Sequence, residues 1–150
     1  MDLRRYDEDK AFALMDGAAT VARIVRTAGP EKLRSTKLGD RSALDVIGHL
    51  TDIAEVFAER ARRALEEDTP ALQAVRGGAP AEERDPMELS RRLLQAHQRI
   101  VALIQRPGAA DRPAIHSDWG RVNAGHIAAY QAEHTDEHVR DLAAAFPPVC

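Results

Sequence analysis

The sequence predicts an all-α protein, a four-helix bundle with long inter-helix connections, and three observations carry that expectation. Four segments of about twenty residues repeat apolar side chains at helical spacing. The chain is rich in Ala, Leu and Arg, which lose little freedom on entering a helix, and only 4% of it is aromatic. Its prolines fall between the periodic segments or at their first turn. At 150 residues, a single domain spanning 1–150 is the expected organisation.

The first helix is expected over residues 6–27, with Ala11, Phe12, Met15, Ala18, Ala19, Ala22 and Val25 as its apolar face and "AGP" at 28–30 as its stop. Within "DRSALDVIGHL", Ser42 can cap a second helix with Asp45 three residues on. Ile47, Leu50, Ala54, Phe57 and Ala61 form its stripe, and it should run to about Glu67. Residues 68–86 mix Pro, Gly and charge without periodicity and read as a long crossover. Asp85 and Pro86 suit the cap and first turn of a third helix, which carries Leu89, Leu93, Ile100 and Ile104 and ends before Pro107. A loop over 108–120 holds Trp119. The fourth helix then runs from Arg121 or Asn123 to Ala145, where Phe146, Pro147 and Pro148 end it. Four such helices form a bundle by default.

Charge and cysteine usage narrow the function. A formal charge of -3 provides no basic field for a polyanion, so nucleic acid is not an expected partner. No run of about 18 apolar residues marks a membrane span, and the acidic N-terminus lacks a signal-peptide core. The single cysteine, Cys150, excludes a disulfide framework within the chain and points to a cytoplasmic location; as the last residue it is a poor nucleophile.

The chemistry concentrates in "HTDEHVRDL", residues 134–142. At about 100° per residue, His134 and His138 fall on the helix face of Ile127, Ala128, Thr135, Val139 and Leu142, opposite Glu133, Asp136, Glu137 and Arg140. Gln131 shares that inner face. Burying polar groups costs free energy unless each finds a partner, so three polar residues there call for an explanation. Histidines four apart stand on neighbouring turns, close enough for both rings to reach one ion or to be satisfied by side-chain hydrogen bonds. A third ligand could come from His49, at the edge of the second helix's stripe, or from His97, on the apolar face of the third; periodicity does not choose between them. Asp52, one turn beyond His49, is a further candidate as ligand, as hydrogen-bond partner to a ligand, or as a solvated acid. His116 in a loop and His126 near the outer face of the fourth helix are expected to be solvated. The stretch formally spells H-x-x-E-H, the inverted zinc-peptidase signature, but the chain holds no downstream helix for the distal acidic ligand and Glu137 faces outward.

A histidine early in "ALDVIGHLTDIAE" followed by "HIAAYQAEHTDEHVRDL" resembles the DinB/YfiT-like superfamily of four-helix-bundle metalloenzymes, along nearly the whole chain. The resemblance implies that His49, His134 and His138 bind a divalent metal (Zn, Ni or Fe) and that His97 plays a core or supporting role. Arg41 departs from the pattern, standing where members often carry Trp. Trp119, ahead of the fourth helix, matches a position that can wall the pocket, although plain core packing is the simpler expectation for it.

Three neutral imidazoles leave at least one position of such an ion open. An open position can hold a thiol as thiolate or activate water. Relatives that use bacillithiol, mycothiol or glutathione favour the first, giving as the leading expectation a low-molecular-weight-thiol S-transferase acting on small electrophiles. The alternatives are a metal-dependent hydrolase and a non-catalytic metal-binding stress-response protein. A small-molecule substrate and a possible homodimer complete the expectations. Arg60, Arg91 and Arg121 are candidate anchors for thiol carboxylates, or else solvated surface charges.

Overall fold

A computed structural model describes residues 2–74 and 84–148. Its elements are helix α1 (Glu8–Ala28), short helix α2 (Pro30–Ser35), strands β1 (Lys37–Leu38) and β2 (Arg41–Ser42), helix α3 (Ala43–Glu66), strand β3 (Ala71–Leu72), helix α4 (Pro86–Ile104), strands β4 (Pro113–His116) and β5 (Gly120–Asn123), and helix α5 (Ala124–Ala145). The four long helices are those the sequence predicts. Their starts are fixed by the expected chemistry: Ser42 accepts a hydrogen bond from the Asp45 amide at 3.0 Å, and Asp85 caps α4 through the Met87 amide at 2.9 Å. Asn123 caps α5 through the His126 amide at 2.8 Å.

The order of the helices is up, down, down, up. Thr51 bonds the Leu89 carbonyl, while Glu55 pairs with Arg92 and Glu59 with Arg99, so α3 and α4 lie parallel. Phe57 lies against Tyr130 while His49 lies against His138, so α3 and α5 run antiparallel. Lys10 reaches Glu133 and Arg23 reaches the Phe146 carbonyl, which makes α1 parallel to α5. Parallel neighbours such as α3 and α4 cannot be joined by a tight turn. That need explains the long connection between them; its residues 75–83 lie outside the described part, as does Cys150.

The connections contain strands that helical periodicity does not reveal. β1 and β2 form a two-stranded hairpin, and β4 pairs with β5 antiparallel and with β3 in parallel. Runs of two to four residues are too short for an alternating pattern to show. They tie the two long connections to each other: the Ser117 amide bonds the Leu72 carbonyl at 2.9 Å and the Ile115 amide bonds the Pro70 carbonyl at 2.9 Å.

The first helix turns a different face inward from the one expected. Leu14, Ala18, Val21, Ile24 and Val25 are buried, whereas Phe12 is 69% exposed. An Ala-rich helix carries apolar residues nearly all round, and here the close approach to α5 selects the face. That approach is made at Gly17, where an added Cβ would stand 2.4 Å from Thr135 Cγ2. The Thr135 side chain is buried and tied to the Gln131 carbonyl at 2.8 Å, so it cannot move aside cheaply. Gly17→Ala is therefore expected to lower stability by about 1–3 kcal/mol, the range for overpacking a filled interior, as measured by urea denaturation.

Candidate metal centre

The antiparallel packing of α3 on α5 brings His49 to the level of His134 and His138. The ring centroids of His49 lie 5.3 Å from His134 and 5.4 Å from His138, and those of the α5 pair lie 4.5 Å apart. One nitrogen from each ring falls within 4.8 Å of the others, and all three residues are half-buried. The Nε2 atoms of His134 and His138 approach to 3.0 Å. Two nitrogens at 2.0–2.1 Å from one ion would be separated by about 2.9 Å at a right angle and about 3.3 Å at the tetrahedral angle. The α5 pair thus already has the spacing of neighbouring ligands.

Electrostatics keep the rings neutral. Burial is the main cause for all three: it lowers the pKa of His49 and of His138, and takes His134 down to about 4. The nearby Arg41 guanidinium pushes each of them in the same direction. A ligand must present a lone pair, so neutral imidazoles are the form a metal requires. The Nδ1 of His134 is buried with no hydrogen-bond partner among the described residues.

The other candidates separate clearly. His97 is fully buried between helices, where Nδ1–H donates to the Leu14 carbonyl at 2.6 Å. This leaves Nε2 as an acceptor, and the Gln131 amide donates to it at 3.1 Å and to Thr135 Oγ1 at 3.2 Å. Two of the polar residues that share the inner face of α5, Gln131 and Thr135, therefore serve a buried network that flanks His134. Asp52 is held by Arg84 through two bonds of 2.8 Å, and that hydrogen bonding keeps its carboxyl below the usual range; it takes no place in the histidine cluster. Glu137 is exposed, as its place on the helix wheel suggests.

His116 and His126 are not solvated as expected; both are buried. His116 Nδ1 accepts the amides of Asp118 at 3.0 Å and Trp119 at 3.2 Å, building the β4–β5 turn that Gly120 completes with a φ of 76°. His126 Nδ1 accepts the Arg4 amide at 2.9 Å because the N-terminal segment lies over the start of α5. The turn stacks Trp119 on His116 with centroids 4.1 Å apart and leans it on Tyr130 at 4.6 Å. Phe57 closes the group, 5.6 Å from Tyr130. A cleft of about 280 Å³ lies between this aromatic wall and the triad, lined by His49, His134, Phe57, Trp119, Tyr130 and Arg60 among others. Sequence reasoning missed the roles of Tyr130 and Phe57. A signal was present, since His126, Tyr130, His134 and His138 recur at intervals of four along α5.

The model of the DinB superfamily matches residues 14–142. The chain belongs to that superfamily. Among solved structures, YfiT from Bacillus subtilis is similar with a TM-score of 0.79 and 17% identity, over 97% of this chain and 92% of that one. It is described as a probable metal-dependent hydrolase with an unusual four-helix bundle topology. None of the curated proteins compared matches the chain. The DinB fold of this protein thus places one helix-α3 histidine and two helix-α5 histidines together, and no described helix is long and apolar enough to cross a membrane.

Burial moves the His97 pKa from 6.5 down to about 4, against the opposing hydrogen bond to Leu14. The folded protein therefore resists protonation there, while the unfolded chain takes up a proton as pH falls through about 6.5. Stability from this residue is complete above that value. It is lost progressively towards pH 4, by an amount on the order of 3 kcal/mol. In an NMR titration the His97 ring of the folded protein is expected to show a midpoint near 4; a midpoint near the ordinary histidine value would contradict the buried tautomer described above.

Proposed function

We propose that the protein is a metal-dependent enzyme that holds one divalent cation between His49, His134 and His138 and transfers a low-molecular-weight thiol to small electrophiles. The observation that carries the reading is the convergence of three half-buried, neutral imidazoles at the edge of a cleft. The donor set suits zinc, nickel or iron(II). When bound, such an ion supplies a Lewis acid with an open position that favours the thiolate over the thiol.

The chain's own residues do the rest. His134 and His138 are fixed one turn apart on a helix whose next inward residues, Gln131 and Thr135, are tied to His97. Phe57, Trp119 and Tyr130 exclude water from one side and give an electrophile an apolar surface. Of the described residues lining this cleft, Asp118 is the single carboxylate, and its backbone amide is bound to His116. Once the thiol proton has gone to solvent, the thiolate needs no further general base: its sulfur would form the new bond as the electrophile's leaving group departs with the bonding pair. A hydrolase using water activated by the ion is the second reading, and the description of YfiT favours it.

Untagged protein should contain or take up one equivalent of divalent metal. At a hundredfold excess over Kd this binding should stabilise the fold by about 2.7 kcal/mol in thermal denaturation. His134→Ala should abolish both effects. Mass spectrometry of metal-loaded protein with cellular thiols and small electrophiles is expected to show conjugates that disappear on chelation. Turnover of an ester or amide panel without any thiol adduct would establish the hydrolase instead. Absence of stoichiometric metal, with stability unchanged by chelation and by His134→Ala, would remove both readings.

A further inference from the structure

We propose that the cleft beside the triad selects small carboxylates, with the Arg60 guanidinium gripping the carboxylate and the Phe57, Trp119 and Tyr130 rings receiving the body of the molecule. This rests on the metal-dependent reading for the reacting end of the substrate, but the recognition itself does not require the ion.

Arg60 is 6% exposed, and it lines the same cleft as His49 and His134. It follows His49 by eleven residues, so both project from one face of α3, their Cα atoms roughly 16 Å apart along the axis. The Arg60 side chain leans back toward the triad, as helical side chains do, and its Cζ lies 5.3 Å from the centroid of Phe57. The cleft is therefore lined by two chemically distinct groups, imidazoles and a guanidinium.

Burial sets Arg60 apart from the other described arginines. Arg62, Arg63, Arg84, Arg91 and Arg92 each pair with a carboxylate. Arg60 donates to the Gln73 carbonyl and lies over the Phe57 ring, and among the described residues no carboxylate pairs with it. A buried cation without an anion is costly, and a guanidinium offers five donors in a fork that matches a carboxylate. The cleft's volume of about 280 Å³ lies just below the usual range for small-molecule sites and suits a small ligand. Its flat rings favour an apolar or aromatic body. Of the three arginines singled out in the sequence, only Arg60 fits this role: Arg91 pairs with Glu88 and Arg121 is exposed.

The single tryptophan, Trp119, lies in the cleft and reports occupancy by its fluorescence. Zinc-loaded protein and chelated protein are titrated with 3-phenylpropionate and with its neutral amide. The expected result is at least tenfold tighter binding of the acid in both forms. In Arg60→Met the preference vanishes while circular dichroism, melting temperature and zinc content stay at wild-type values. Arg60→Lys, which keeps charge without the fork, retains part of it. Should Arg60→Met fail to fold, ¹⁵N NMR of the wild type decides: the Arg60 Nε–H resonance moves with the acid and not with the amide. Equal affinity for acid and amide overturns the proposal. So does a preference that survives in folded Arg60→Met, or one that disappears on chelation. Failure of the metal reading is seen separately, as absence of bound zinc while the acid preference persists.

Discussion

The antiparallel contact of α3 with α5 is the constraint on which the rest of the molecule depends. It sets His49 level with His134 and His138 at one height, and Phe57 level with Tyr130 two turns away. A shift of one helical turn, about 5.4 Å, would carry His49 away from one of the two α5 histidines and part Phe57 from Tyr130. The fold meets this demand with small and polar residues rather than bulk. Gly17 lets α1 close on α5 at Thr135, and Thr135 joins Gln131 and His97 in a buried network that fixes the face of α5 from which His134 projects. Buried polar groups of this kind are costly unless satisfied together, and that cost makes the arrangement specific.

The up-down-down-up order has a consequence for the site. Because α3 and α4 are parallel, the chain must return along the bundle between them, and β3 marks the point where it pairs with the β4–β5 hairpin. That small sheet carries His116 and Trp119 onto α5, turning an open helix face into the wall of a cleft. Long connections, which a simple bundle would not need, thus supply one side of the cleft, with Ala74, His116, Asp118 and Trp119.

Periodicity was sufficient for the helices and for the inward placement of His134, because a stripe of Ile127, Thr135 and Leu142 leaves one choice of face. It was insufficient for α1, where alanines surround the helix and the buried face is set by Gly17 meeting Thr135. It could not choose between His49 and His97 either, since both lie near apolar stripes; the difference is tertiary, in which neighbour each stripe meets. The burial of His116 and His126 is tertiary in the same way, their cover coming from a hairpin turn and an N-terminal segment that helical periodicity does not register. Arg60 is among the candidate arginines, and what distinguishes it, burial with no paired carboxylate among the described residues, is invisible in one dimension.

The central claim is that three histidines from two helices converge in order to share one ion. X-ray diffraction from crystals of untagged protein, recorded on either side of the metal absorption edge, tests it most directly. The expected result is one anomalous peak with the ring nitrogens of His49, His134 and His138 at about 2.0–2.1 Å from it. A metal-replete crystal with no peak between these rings, or with its peak held by other residues, would contradict the account.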